Sequence, residues 1–226
     1  AQQNEELALA DVVTAGCDYC ARTLIENGCP AEKIRVINYG FDETLFAAKR
    51  PMRPPLGARP TNFLFVGAVN PRKGVATLLP AFARLPADRA TLTLVGKLEI
   101  PRETFERYKG RVNHVGSVSR RDVVKYFLDA DCFVFPSLFE GSALVLYEAI
   151  AAGLGIIQSI HAGAGARAGL NGEVLEDVTV DRLHAALEAV IAHPEQLTSW
   201  QDFSWQMRWQ HTWRTYREHV AGLIIR

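Results

Sequence analysis

Apolar and polar positions alternate along the chain between two periods. "NFLFVGAV" (62–69), "TLTLVGKLE" (91–99), "DCFVFPSL" (131–138) and "GIIQSI" (155–160) are near-continuous apolar runs of strand length. "VNHVGSV" (112–118) and "GEVLE" (172–176) are weaker strands. Between them, apolar residues recur at helical spacing in "RKGVATLLPAFARL", "PRETFERYKG", "SRRDVVKYFLDA" (opening on a Ser cap), "EGSALVLYEAIAAG" and "VDRLHAALEAVIAH". Regular strand–helix alternation with apolar strands predicts an α/β fold: a Rossmann-like parallel sheet with helices on both faces. Ligands of such sheets bind beyond the carboxyl ends of the strands, where strand order reverses.

The pattern also predicts boundaries. "ADVVTAG" and "KIRVINYG" are strands flanking the helix "CDYCARTLIENG". "FAAKRPMRPPLGARPT" then carries Pro51, Pro54, Pro55 and Pro60 among basic residues, the composition of an extended, exposed connector. The expected division is 1–48, a connector at 49–60, an α/β unit at 61–200, and an aromatic helix at 201–226. In that helix Trp205, Trp209, Trp213, Tyr216, Val220 and Leu223 are spaced to line one face, which reads as core or interface.

Composition changes little. Twenty-five basic and twenty-five acidic residues cancel, and no Lys/Arg cluster stands out, so a nucleic-acid partner has no electrostatic basis. No apolar run reaches the roughly 20 residues of a membrane span. Cys17 and Cys20 form a C-x-x-C, readable as a redox pair or half a zinc site, but no second pair completes a zinc site and the surrounding segment reads as an ordinary amphipathic helix. Reduced thiols and a cytoplasmic location are the expectation. The chain opens on Ala1, and a segment of a longer protein is expected.

The chemistry concentrates in "SLFEGSALVLYEAIAAG", where Glu140 and Glu148 stand eight positions apart. With Gly141, Ser142 and Ala143 taken as a helix's first turn, free N–H groups and the helix dipole offer a site for an anion. The two carboxylates, about 12 Å apart in rise, suit paired hydroxyls at either end of an extended ligand. Ribose–diphosphate–sugar has that layout. The plainer alternative makes Glu140 a helix-start acid and Glu148 an ion-pair partner. Arg72 and Lys73, ahead of Gly74, add two cations where the dipole disfavours them, a local conflict that marks function.

These stretches, with "TLIENGCPAEKIRVINYGFDETLF" and "FLFVGAVNPRKGVATLLPAF", resemble the retaining, nucleotide-sugar-dependent glycosyltransferases of the GT-B fold, sequence family 4. The resemblance covers most of the chain and implies the C-terminal, donor-binding half of that fold, preceded by a remnant of the acceptor domain and followed by the aromatic helix at 201–226 crossing back onto that remnant. It implies Glu148 on the ribose hydroxyls, Glu140 on the donor sugar, and the backbone of Gly141, Ser142, Ala143 and Leu144 on sugar and phosphate. Lys73, with Arg72, would meet the diphosphate and Val118 would lie by the base; Lys73 and Glu140 are the catalytic candidates. Ala68 stands where the family pattern has an arginine, and "IHAGAGARAGLNGEVLE" replaces its paired glycines followed by an acid.

The resemblance further implies transfer with retained configuration from a UDP- or GDP-type sugar, in polysaccharide or glycoconjugate synthesis, without cofactor or metal. "DAD" at 129–131 imitates a metal motif of the other glycosyltransferase fold, but it straddles a helix end and a strand start. The partners expected are a nucleotide-sugar, an acceptor of unknown identity and the missing N-terminal domain, without which the chain would be inactive. Peripheral membrane association of the full enzyme and self-association of this segment through an exposed apolar patch complete the expectations. Two readings compete: a GT-B epimerase or hydrolase acting on a nucleotide-sugar alone, and a non-catalytic interaction module. An NAD oxidoreductase ranks lower, since no G-x-G-x-x-G follows the first strand of either unit.

Overall fold

The computed structural model describes residues 2–46, 50 and 52–224. In chain order the elements are α1 (Gln2–Leu9), β1 (Val13–Ala15), α2 (Asp18–Glu26), β2 (Ile34–Val36), β3 (Thr61–Val66), α3 (Val75–Ala83), β4 (Ala90–Val95), α4 (Arg102–Glu106) and β5 (Asn113–Gly116). They continue with α5 (Val123–Asp129), β6 (Cys132–Phe135), α6 (Leu144–Ala151), β7 (Gly155–Ser159), β8 (Gly172–Leu175), α7 (Val180–Ala192), α8 (Pro194–Met207) and α9 (Trp213–Ile224).

Among the described residues β3 to β8 form one parallel sheet in the order β5-β4-β3-β6-β7-β8. The chain winds outward from β3 to β5, then crosses back to β6 and winds the other way, so strand order reverses between β3 and β6. The apolar runs explain the sheet's position. Phe63, Leu64, Phe65, Leu92, Leu94, Phe133, Val134, Phe135, Ile156 and Ile157 are buried, as strands covered on both faces require. The expected α/β, Rossmann-like fold is the observed one.

Residues 2–46 form a smaller unit, with β1 and β2 parallel and α2 between them. α1 has no counterpart among the predicted elements. Its apolar residues lack a clear helical face, so the pattern carried no signal there.

Two expectations need correction. The single aromatic helix at 201–226 is broken: α8 starts at Pro194, runs through position 200, and gives way to a 3-10 turn at Arg208–His211 before α9 begins. The break serves a close approach. Phe41 N–H donates to His211 O (2.9 Å) and Trp213 N–H to Phe41 O (3.2 Å), while a Cβ on Gly40 would lie 2.3 Å from the Thr212 carbonyl carbon. Tyr39 packs on Trp213 and Tyr216, so α9 lies against the first 46 residues. The aromatic stripe is correspondingly split, with Trp209 exposed.

The proline-rich connector is tethered, although its residues 49 and 51 lie outside the described residues. Arg53 reaches inward to donate to Ala152 O (2.8 Å), and burial lowers its guanidinium to about 10. Arg59 makes a two-pronged pair with Asp131 (2.6 and 2.8 Å). Asp131, fully buried, also accepts from Asn62 N–H. The second acid of "DAD" is thus engaged in holding the connector against the start of β6.

Candidate functional site

The strand ends at the reversal point carry the candidate residues. β3 leads through Gly67 to a 3-10 turn, Pro71–Lys73, capped by Asn70, whose Oδ1 accepts from Lys73 N–H. Gly74 closes that turn at φ 74°, and a Cβ there would sit 2.0 Å from Pro136 O. Only glycine lets the turn press against the end of β6. Arg72 and Lys73 therefore belong to the 3-10 turn, one step before α3. The predicted conflict with the α3 dipole is eased by this offset.

From β6 the chain runs through Pro136 and Ser137 into an open loop. The helix α6 starts at Leu144, with Ala143 as its N-cap, three residues later than a first turn at Gly141. Gly141 and Ser142 are loop residues. Glu140 N–H donates to His161 O (3.0 Å) and Ala143 N–H to Ala162 O (3.2 Å), so two of the loop's amides are tied to the segment after β7. That segment is pinned by the buried Gln158, which bonds Gly163 O and Ala166 N–H (2.7 Å each). Nothing stands within 4 Å of where a Gly141 Cβ would be, and the first N–H groups of α6 have no intrahelical acceptor.

Glu140 is the hub of this loop. Its Oε1 accepts from Lys73 Nζ (2.5 Å), Ser137 Oγ (2.7 Å) and Arg72 Nη1 (3.0 Å). Arg72 also donates to Phe139 O, and Leu138 N–H to Arg72 O, so the turn and the loop are mutually braced. Lys73 Nζ lies 5.0 Å from the centre of the Phe135 ring, and its side chain keeps only 14% of its exposure. The sequence placed the two cations at the end of one strand and the acid at the end of another, and the structure brings them into contact. Ser137, three residues before Glu140, was missed; the short "SLFE" spacing was its only signal.

Glu148 differs. It is half-buried in α6, and among the described residues no hydrogen bond or ion pair engages its carboxylate. Burial raises its carboxyl to about 7, with the Arg120 guanidinium pulling in the opposite direction. Arg120 follows Val118 in the loop after β5, which places that loop beside the second turn of α6. Val118 is partly buried against the core. Arg120 carried no motif and was not singled out in the sequence. The ion-pair role for Glu148 in the plainer alternative is not what is seen.

Towards residues 2–46, the Tyr147 ring lies tilted against His211, centroids 5.5 Å apart, and its hydroxyl lies 2.8 Å from Ser142 Oγ. Burial, with the Arg167 charge, lowers the His211 imidazole to about 4. Cys17 and Cys20 face the loop: both thiols donate to Gly141 O. Among the described residues no group of three or more His, Cys, Asp or Glu is placed to hold a metal ion, and no helix is long and apolar enough to cross a membrane.

Comparison with known proteins places this geometry. Residues 51–204 match the family described as glycosyl transferases group 1. The chain is 28% identical over 233 aligned positions to the MMP alpha-(1->4)-mannosyltransferase of Mycolicibacterium hassiacum, covering 94% of this chain and 55% of that protein. It is 31% identical over 153 positions to the amylovoran biosynthesis glycosyltransferase AmsK of Erwinia amylovora, covering 62% of this chain and 37% of that one. The chain spans about half the length, or less, of these curated relatives. Among solved structures, Anabaena HepE in complex with UDP superposes with a TM-score of 0.81 at 20% identity, covering 98% of this chain and 65% of HepE. On the match over 51–204 and this shared GT-B fold, the chain belongs to the group 1 glycosyl transferases.

Proposed function

We propose that this chain supplies the donor half of a retaining glycosyltransferase that takes a nucleoside-diphosphate sugar. The observation that carries the reading is the contrast within one loop-helix unit: a braced cationic cluster at Glu140 and, eight residues on, a desolvated carboxylate at Glu148 with no partner among the described residues. An unpartnered buried acceptor is costly unless a ligand completes it, and a ribose diol offers two donors. The base then lies toward the loop of Val118 and Arg120, and the diphosphate against the Gly141–Leu144 backbone. The sugar lies toward Glu140. HepE, which shares the fold, was solved with UDP and glucose.

In this reading Lys73 has two partners in turn. Without ligand its ammonium is held by Glu140. A diphosphate arriving at the start of α6 draws Lys73 and Arg72 to its oxygens, and Glu140 is released to accept from sugar hydroxyls. As the glycosidic bond to the leaving diphosphate breaks, negative charge grows on the β-phosphate. Lys73 and the helix-start N–H groups are already aimed there, so the barrier falls by preorganised electrostatics. No cofactor or metal enters this scheme. The remaining half of the acceptor domain is required for transfer, the chain alone is inactive, and the enzyme works in the cytoplasm.

The test is calorimetric titration of the chain with UDP, GDP and ADP, repeated on Glu148→Ala. Binding of one nucleotide, weakened by about 1–3 kcal/mol in the variant, supports the donor site and names the base. Silence with all three in a folded sample refutes a donor site formed by this chain alone.

A further inference from the structure

We infer that Cys17 and Cys20 form a dithiol–disulfide site whose reduced state latches the loop at Gly141 to the first 46 residues. The two sulfurs lie 3.5 Å apart, and both thiols point at one acceptor, Gly141 O, at 3.1 Å from Cys17 and 2.6 Å from Cys20. The local fold is the one in which a C-x-x-C pair closes readily: β1, then Cys17 as the N-cap of α2, then the parallel strand β2. Cys17 is buried at 1% exposure, whereas Cys20 is half-buried. Burial, then the contact with Cys17, raises the Cys20 thiol to about 12, so oxidation is slow at neutral pH and the latch is closed by default.

The co-substrate is a low-molecular-weight disulfide, RSSR. The accessible Cys20 thiolate attacks one of its sulfurs and expels RS⁻, leaving Cys20–S–SR. The Cys17 thiolate then attacks the Cys20 sulfur and expels the second RS⁻. The two cysteine protons end on the two RSH released, the protein loses two electrons, and RSSR gains them. Closure needs the sulfurs to approach by about 1.5 Å, to the 2.05 Å of a disulfide. Both S–H donors to Gly141 O vanish in the same event. The loop then keeps its ties to the segment after β7, through Glu140 and Ala143 N–H, but its Gly141 carbonyl loses those to Cys17 and Cys20. Any effect on nucleotide binding rests on the proposed donor site; the latch itself does not.

The experiment therefore uses no nucleotide. The full chain is equilibrated with oxidised glutathione, its mass is measured, and amide exchange is followed over residues 138–144. Leu138, Glu140 and Ala143 amides, hydrogen-bonded in the structure, report on the loop. Expected are a loss of about 2 Da, the two hydrogens carried off, and an internal disulfide in the tryptic peptide ending at Arg22. Exchange in the loop should rise roughly tenfold, the scale of one hydrogen bond lost, and dithiothreitol should reverse it. A stable glutathione adduct that never resolves, a disulfide to Cys29 or Cys132, or a Cys17–Cys20 disulfide with unchanged exchange overturns the inference. Cys17→Ser has no resolving thiol and should stop at a glutathione adduct on Cys20, whereas Cys20→Ser removes the attacking thiol, keeps a hydroxyl donor, and should show slow exchange under oxidant. An internal disulfide in Cys17→Ser, or acceleration in Cys20→Ser to the wild-type extent, also overturns it.

Discussion

Two glutamates eight residues apart occupy opposite electrostatic situations. Glu140 is gripped by a lysine, an arginine and a serine hydroxyl, and its side chain keeps 12% exposure. Glu148 shares the same loop-helix unit, has no such donors among the described residues, and is raised toward neutrality by burial. The difference lies in what each faces. Glu140 sits at the reversal of strand order, where the turn after β3 delivers cations. Glu148 sits in the second turn of α6, where the loop after β5 brings Arg120 only close enough to be felt. The pair teaches that one loop-helix unit can hold one carboxylate fully engaged and leave another desolvated without a partner among the described residues; in the proposed reading a nucleotide-sugar completes the second.

The comparison breaks most readily at Glu140. Glu140→Gln strands Lys73 and Arg72 near a mostly buried position and should cost about 2–3 kcal/mol of stability, read from urea unfolding at pH 7.5. A loss below about 0.5 kcal/mol would mean that the cluster is solvated and carries little structure.

The same substitution at the other glutamate should act in the opposite sense. Glu148→Gln removes a desolvated charge and should stabilise the chain by about 1–2 kcal/mol at pH 8, a figure discounted for the side chain's residual exposure. At pH 4.5, where the folded-state carboxyl is already protonated, the gain should vanish. Destabilisation at pH 8 would show that the carboxylate has a partner in solution.

The pH profile sharpens the contrast further. Glu148 has a raised folded-state value, so its contribution to stability is full below about 4.5 and is lost as pH rises toward about 7. His211 has a lowered one, so its contribution is full above about 6.5 and is lost as pH falls toward about 4. Across about pH 4.5–6.5 the two oppose each other. In Glu148→Gln the His211 slope stands alone, and unfolding free energy should rise more steeply with pH than in the wild type. An unchanged slope would remove Glu148 from the balance.

The smallest effect is expected at Ser137. Ser137→Ala removes one of the three donors to Glu140 and should cost about 0.5–1.5 kcal/mol. It should also leave Lys73 and Arg72 in place, so UDP or GDP binding, if present, should change by less than in Glu148→Ala.

Much of this was readable in the chain, and the exceptions share a cause. The apolar runs at 62–66, 92–95 and 132–135 announced buried parallel strands because both faces of such a sheet exclude polar side chains. Glu140, Arg72 and Lys73 were legible because charges at strand ends have few structural reasons to be there. The start of α6 was misplaced by three residues because Gly141 and Ser142 suit a loop as well as a first turn. The aromatic helix was drawn unbroken because its spacing holds through 208–212, where the bridge between Phe41 and Thr212 interrupts it. Arg53 and Arg59 looked like connector charges until their buried acceptors, carbonyls of α5 and α6's end and Asp131, were brought near.

Local pattern therefore settled the α/β alternation and the parallel sheet and pointed to the candidate site, since hydrophobic period and strand-end chemistry are properties of short segments. Tertiary structure alone decided that Glu140 is neutralised while Glu148 is not, where the aromatic helix breaks as it returns to residues 39–46, and that two thiols near the beginning of the chain meet the carbonyl of Gly141. Those facts depend on groups 67 to 174 positions apart becoming neighbours. Charge state, hydrogen-bond partner and burial are set by such neighbours, whose distance no local pattern encodes.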